Sequence, residues 1–193
     1  MKHRIWFVLI LLALCSLCWI ASAEEIATPS DLAASTATTA PAEPLAQKPT
    51  KRKPTLYEIP DEVLAADANF AALMAEAEKY IGYPYVWGGS SPETSFDCSG
   101  FVCWVFRTSG VYDTGRRGAT GLFNLCSEVC AKDARPGDLV FFQGTMGDVE
   151  GITHVGIYVG NHWMIHCGEP IGFADLSASK WQRRLYAYGR LPY

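Results

Sequence analysis

The sequence predicts an α+β domain in which N-terminal helices pack on an antiparallel β-sheet. Helical periodicity is confined to the stretch before Gly110. After it come separate β-branched and aromatic runs divided by Gly, Asn and Pro. Helices followed by strands, rather than strict alternation, favour an antiparallel sheet. Residues 56–193 are long enough to bury one real core, and no repeat of about 20–50 residues is visible.

The chain opens with basic Lys2, His3 and Arg4, an uncharged stretch from Ile5 to Ile20, and the small residues Ala21-Ser22-Ala23. This pattern reads as an export signal over 1–23, with an uncleaved membrane anchor as the alternative, and predicts a secreted or envelope location. Leu14 and Leu17 precede Cys15 and Cys18, where a lipidation signal would place small residues. Residues 24–55 are rich in Ala, Thr, Pro and Ser and nearly devoid of large apolar groups, so they read as a disordered tether. Its Lys48, Lys51, Arg52 and Lys53 form a basic end, read first as a solvated charge run and second as a contact for an anionic wall or membrane.

The folded region, 56–193, holds ten Lys and Arg against sixteen Asp and Glu, within a chain of net charge −4. Its cations are scattered, which argues against nucleic acid as a partner.

Asp67 can cap a helix whose apolar residues Phe70, Leu73, Met74, Ala77 and Ile81 fall at helical spacing and which ends at Gly82. Tyr83-Pro84-Tyr85-Val86-Trp87-Gly88-Gly89 reads as an extended turn leading toward a second helix. That helix opens near Cys98, in Phe96-Asp97-Cys98-Ser99-Gly100, and closes at Gly110. At about 100° per residue Cys98 shares a stripe with Val102, Val105 and Ser109, while Cys103 lies about 140° away and reads as core.

A thiol in the first turn of a helix meets unpaired N–H groups and the positive end of the helix dipole. Both favour the thiolate that a nucleophile needs. Cys98 with separate downstream histidines therefore points to cysteine peptidase chemistry.

Strands are expected at 137–142, 154–159, 163–167 and around 184–188. The hairpin joining the second and third carries His154 and His166, and alternate strand residues face opposite ways. A two-residue loop would pair His154 with Cys167 and turn His166 away. A three-residue loop of Gly160, Asn161 and His162 pairs His154 with Gly168 and puts both histidines on one face. The odd loop is predicted, with Gly160 or Asn161 left-handed.

Four stretches in order carry a resemblance: Tyr83–Gly89, Asp97-Cys98-Ser99-Gly100, Arg135-Pro136-Gly137-Asp138-Leu139-Val140-Phe141-Phe142 and His154-Val155-Gly156-Ile157-Tyr158-Val159-Gly160. From about Ala72 to Arg190 the chain resembles the NlpC-type cell-wall peptidases, a papain-like superfamily. Ala119-Thr120-Gly121-Leu122 and Met164-Ile165-His166-Cys167-Gly168 are similar to members encoded on conjugative elements of Gram-positive bacteria.

The resemblance implies a Cys98 nucleophile, a His154 general base and a His166 orienting group. It also implies substrate contacts from Tyr85, Asp97 and Ser99, the last two toward a free substrate amine, with Trp87 beside them. Packing is the competing reading for Tyr85 and Trp87. The implied activity is a peptidoglycan endopeptidase cutting stem peptides, most often between γ-D-glutamate and the third-position diamino acid, with no cofactor and no metal. Cell-wall or conjugation machinery would be its protein partner. A related-fold amidase or transpeptidase, or a wall-binding transfer component with secondary catalysis, are the alternatives.

Beyond the leader, Cys103, Cys126, Cys130 and Cys167 accompany Cys98. Free or partly paired thiols are expected. A zinc site from Cys126, Cys130, His166 and Cys167 is disfavoured by its loose spacing.

Overall fold

The computed structural model describes residues 52–193, and the expected signal and all but the last residues of the expected tether lie outside the described residues. Two short helices come first, α1 (Asp61–Ala66) and α2 (Ala68–Ala77). Asp67 caps α2, its carboxylate accepting from the N–H groups of Asn69 and Phe70 at 2.9 and 3.1 Å. The predicted helix ends earlier than its periodicity suggests, tightening into a 3₁₀ turn over Glu78–Tyr80 before Gly82 at φ +92°.

A small hairpin, β1 (Ser90–Ser91) with β2 (Ser95–Phe96), leads into α3 (Cys98–Thr108). Asp97 is the α3 N-cap and accepts from the Gly100 N–H. Gly100 has no room for a side chain, because a Cβ there would collide with the backbone carbonyl of Gly89. The Gly89 loop thus lies directly on the first turn of α3.

After α4 (Ala119–Phe123) come β3 (Ser127–Val129), β4 (Leu139–Gln143), β5 (Ile152–Gly160), β6 (Trp163–Cys167), β7 (Ile171–Asp175), the single-turn α5 (Ser179–Gln182) and β8 (Leu185–Arg190). The six strands β3 to β8 form one antiparallel sheet in the order β3-β8-β4-β5-β6-β7. The predicted α+β class is therefore observed. Strands β3 and β7 went unpredicted. The former is three residues long and the latter, Ile-Gly-Phe-Ala-Asp, carries a glycine that blurs its pattern.

Two apolar clusters occupy the two sides of the sheet. Leu139, Phe141, Val155, Ile157, Ile165 and Cys167 pack with Phe70, Leu73, Phe101, Val102 and Val105 of α2 and α3. Val140, Phe142, Met164 and Tyr188 form the second cluster with Leu176, Ala174 and Trp181. Cys103 is buried as core, as its helical angle predicts. Before α1, Thr55 already belongs to the fold, its carbonyl accepting from the Phe173 N–H at 2.9 Å.

Candidate active site

Cys98 occupies the first position of α3, buried at 6% exposure. Its Sγ lies 4.0 Å from the Thr153 carbonyl oxygen, and the Val155 N–H also reaches it. Those two backbone groups flank His154, so the start of α3 is docked against β5 at the histidine.

The β5–β6 register pairs Ile157 with Ile165 and Tyr158 with Met164. Continued along the strands, it sets Gly156 opposite His166 and puts His154 and His166 on one face. The extra residue needed for this parity sits in a bulge at Val159–Gly160, and the tip is the two residues Asn161 and His162. Gly160, Asn161 and His162 all have positive φ, +90°, +49° and +63°. Gly156 completes the arrangement: a Cβ there would stand 3.1 Å from His166 Cβ and 2.8 Å from Met164 Sδ, inside the space the His166 side chain uses. His154 Nε2 and His166 Nδ1 are 2.8 Å apart.

Trp181 closes this pair. Its ring stacks on His154 at 5.7 Å and 25°, meets His166 edge-on at 5.1 Å, and packs on Phe142 at 4.8 Å. Its Nε1 is buried with no hydrogen-bond partner among the described residues. Sequence reading missed Trp181, because a four-residue helix shows no periodicity.

Burial sets the protonation states. It pushes His154 down to about 4, against a small opposing pull from the Asp97 charge. His166 is pushed well below the ordinary imidazole range by burial, then by His154 and Lys180. The Cys98 thiol goes up to about 11 through burial first and the Asp97 charge second, although the N–H groups of Val155, Ser99 and Cys98 all favour the thiolate. The helix start therefore does not lower this thiol on its own, contrary to the expectation from position. Desolvation outweighs the N–H groups. At neutral pH the resting site holds a thiol and two neutral imidazoles.

An open cleft of about 380 Å³ lies over Cys98, bounded by Tyr85, Trp87, Asp97, Ser99, Arg116 and Thr153 among others. All seven residues singled out from the sequence are thus placed: Cys98, Tyr85, Trp87, Asp97 and Ser99 at the cleft, and His154 and His166 paired on β5 and β6. Trp87 is 74% exposed, so packing is not its role. Burial and the neighbouring Cys98 and Asp97 push the Tyr85 phenol up, which keeps it protonated.

Arg116, which sequence reading also missed, spans this wall. It donates to Asp97 Oδ2 at 2.6 Å and to Ser99 Oγ at 3.1 Å. Cys167 lies in the α3-facing core, its thiol donating to the Phe96 carbonyl at 3.1 Å. The five cysteines among the described residues are free thiols.

The NlpC/P60 family profile matches residues 82–190, more than half of the chain and the whole of this site. The chain belongs to the NlpC/P60 family. It is 45% identical over 123 residues to the bifunctional muramidase/DL-endopeptidase CwlT of Bacillus subtilis, covering 63% of this chain and 36% of that protein. A gamma-DL-glutamyl hydrolase of the same organism is 39% identical over 127 residues, or 63% of this chain and 30% of that one. Among solved structures, an NLP/P60-family protein from Staphylococcus aureus superposes with a TM-score of 0.61 at 38% identity, covering 75% of this chain and 45% of that chain. The chain spans about a third of the length of these two Bacillus relatives.

Proposed function

We propose that this NlpC/P60 protein is a peptidoglycan DL-endopeptidase that hydrolyses the bond between γ-D-glutamate and the diamino acid of stem peptides. The reading rests chiefly on the 2.8 Å pairing of His154 with His166, together with the buried Cys98, whose Sγ lies 4.0 Å from the carbonyl of Thr153, the residue before His154. Two relatives named as a DL-endopeptidase and a gamma-DL-glutamyl hydrolase support the bond.

With His166 accepting at Nδ1, His154 carries its proton on Nε2 and leaves Nδ1 as a base. Cys98 Sγ attacks the γ-carbonyl carbon as its proton passes to His154 Nδ1, forming the S–C bond. The intermediate collapses with cleavage of the C–N bond, and His154 returns the proton to the departing amine. Water, deprotonated by His154, then breaks the thioester and restores the thiol. His166 stabilises the transient imidazolium through the Nε2–H donation.

The Cys98 N–H and the protonated Tyr85 hydroxyl are the donors to the oxyanion. Starting from a neutral pair, charge appears only as the reaction proceeds. Peptidoglycan lies outside the cytoplasmic membrane, so this function requires the export that residues 1–23 are expected to direct.

Digestion of purified sacculi containing either diamino acid, with fragments identified by mass, tests the reading. The wild-type protein should release fragments ending in γ-D-glutamate and Cys98→Ala none. Release of the same fragments by Cys98→Ala would remove the nucleophile from Cys98.

A further inference from the structure

We infer that Arg116 is the specificity residue of the cleft, binding the α-carboxylate of the glutamyl residue whose γ-carbonyl is attacked. The inference rests on the γ-glutamyl reading of the substrate, and it concerns a side chain that nothing in the motifs singles out.

The hydrogen bonds of Asp97 decide the matter. Oδ1 accepts from Ser99 Oγ at 2.8 Å and from the Gly100 N–H at 2.6 Å. Oδ2 accepts from the Gly88 N–H at 3.2 Å and from Arg116 Nη2 at 2.6 Å. A carboxylate offers about four lone-pair directions, and all are taken. Ser99 donates to Asp97 and accepts from Arg116 Nη1. Asp97 has no capacity left for a substrate ammonium, the role the resemblance implies for it, and Ser99 keeps one lone pair at most.

Arg116 is in the opposite condition. Its Nη1 donates to Ser99 Oγ and to the Arg117 carbonyl and its Nη2 to Asp97. The Nε–H and the second Nη2 hydrogen have no protein acceptor among the described residues. Its side chain is 40% exposed against 12% for that of Asp97, and it bounds the same cleft as Cys98. Among the described residues it is the one cation on that cleft, and Asp97 the one anion. Asp97 fixes the guanidinium in place, and Arg116 presents its remaining donors to the ligand.

The substrate chemistry matches. A peptide bond made through the γ-carboxyl of glutamate leaves an ionised α-carboxylate three carbons from the scissile carbonyl. A guanidinium with an adjacent Nε–H and Nη–H pair is the side chain best suited to take a carboxylate bidentately. The cleft therefore selects for a free α-carboxylate on the glutamyl residue.

The test compares two stem peptides that differ only at the glutamyl α-position, free carboxylate against carboxamide. Wild-type kcat/KM should fall about ten- to hundred-fold on amidation. Arg116→Gln should lose that discrimination while keeping a cooperative thermal transition, and Arg116→Lys should retain part of it. Equal rates on both peptides for the wild-type protein would overturn the assignment. Calorimetric binding of the same pair to Cys98→Ala separates two kinds of failure. Equal affinities there would overturn the role of Arg116. A carboxylate preference in binding without turnover by the wild-type protein would overturn the hydrolase reading and leave Arg116 assigned.

Discussion

His154 Nε2 stands 2.8 Å from His166 Nδ1, and burial keeps both rings neutral. One nitrogen of the pair must donate. Donation from His154 leaves its Nδ1 as the base, so His166 acts by fixing a tautomer and steadying an imidazolium. A neutral imidazole does this less well than a carboxylate, and His166→Ala should lower kcat by on the order of 10²-fold with little change in KM. His166→Asn, which retains an acceptor, should recover part of the loss. Stopped assays on a defined stem peptide measure both, and a loss equal to that of Cys98→Ala would contradict a supporting role.

Cys98 should behave as a poorly reactive thiol in the resting protein. Its position at a helix start suggests the reverse, but burial and Asp97 push it up to about 11. Iodoacetamide alkylation of Cys98, followed by mass, should be slow at neutral pH and rise steadily in alkali. A rate already at its plateau near neutrality would indicate a standing thiolate and imidazolium pair.

The same burial makes the fold sensitive to acid. His154 titrates near its ordinary 6.5 when unfolded and at about 4 when folded, so between those values the unfolded chain binds more protons. The stability contributed by the neutral ring is present above 6.5 and is lost as pH falls toward 4, amounting to about 3 kcal/mol. His166 adds in the same direction. Thermal melting should show Tm falling across this window, and His154→Gln should flatten the fall. An unchanged slope in that variant would mean that other groups govern it.

Trp181 shields the histidines at the expense of an orphaned Nε1. Trp181→Phe keeps an aromatic face and removes the unpaired donor, and should be neutral or stabilising by up to about 1 kcal/mol. Trp181→Ala should cost roughly 2–4 kcal/mol and admit water to His154, raising its basicity. Denaturant titration gives the stabilities, and the acid limb of the rate profile reports the basicity. A limb that stays put in Trp181→Ala would deny the shielding role.

Much of the site was legible because its parts are local. Asp97 and Cys98 are adjacent residues whose cap and first-turn roles follow from one helix start. The placement of His154 with His166 follows from the parity of one hairpin. Even there, the loop reaches the odd register by a bulge at Val159–Gly160 with a two-residue tip, a distinction that alternation alone does not make. Arg116 and Trp181 were not legible. Each reaches the site from an irregular or single-turn segment, and their roles depend on tertiary contacts with Asp97 and His154 rather than on any repeat. The Cys98 protonation state was not legible for a related reason: a helix start is visible in sequence, and the degree of desolvation is not.

The central claim is hydrolysis of the γ-glutamyl bond through Cys98, and it can be tested in oxygen-18 water with a stem peptide ending in the diamino acid. The wild-type protein should release the free diamino acid and leave one oxygen-18 atom in the new γ-carboxylate, and Cys98→Ala should release nothing. Cleavage at another bond, or the same labelled product from Cys98→Ala, would contradict the account.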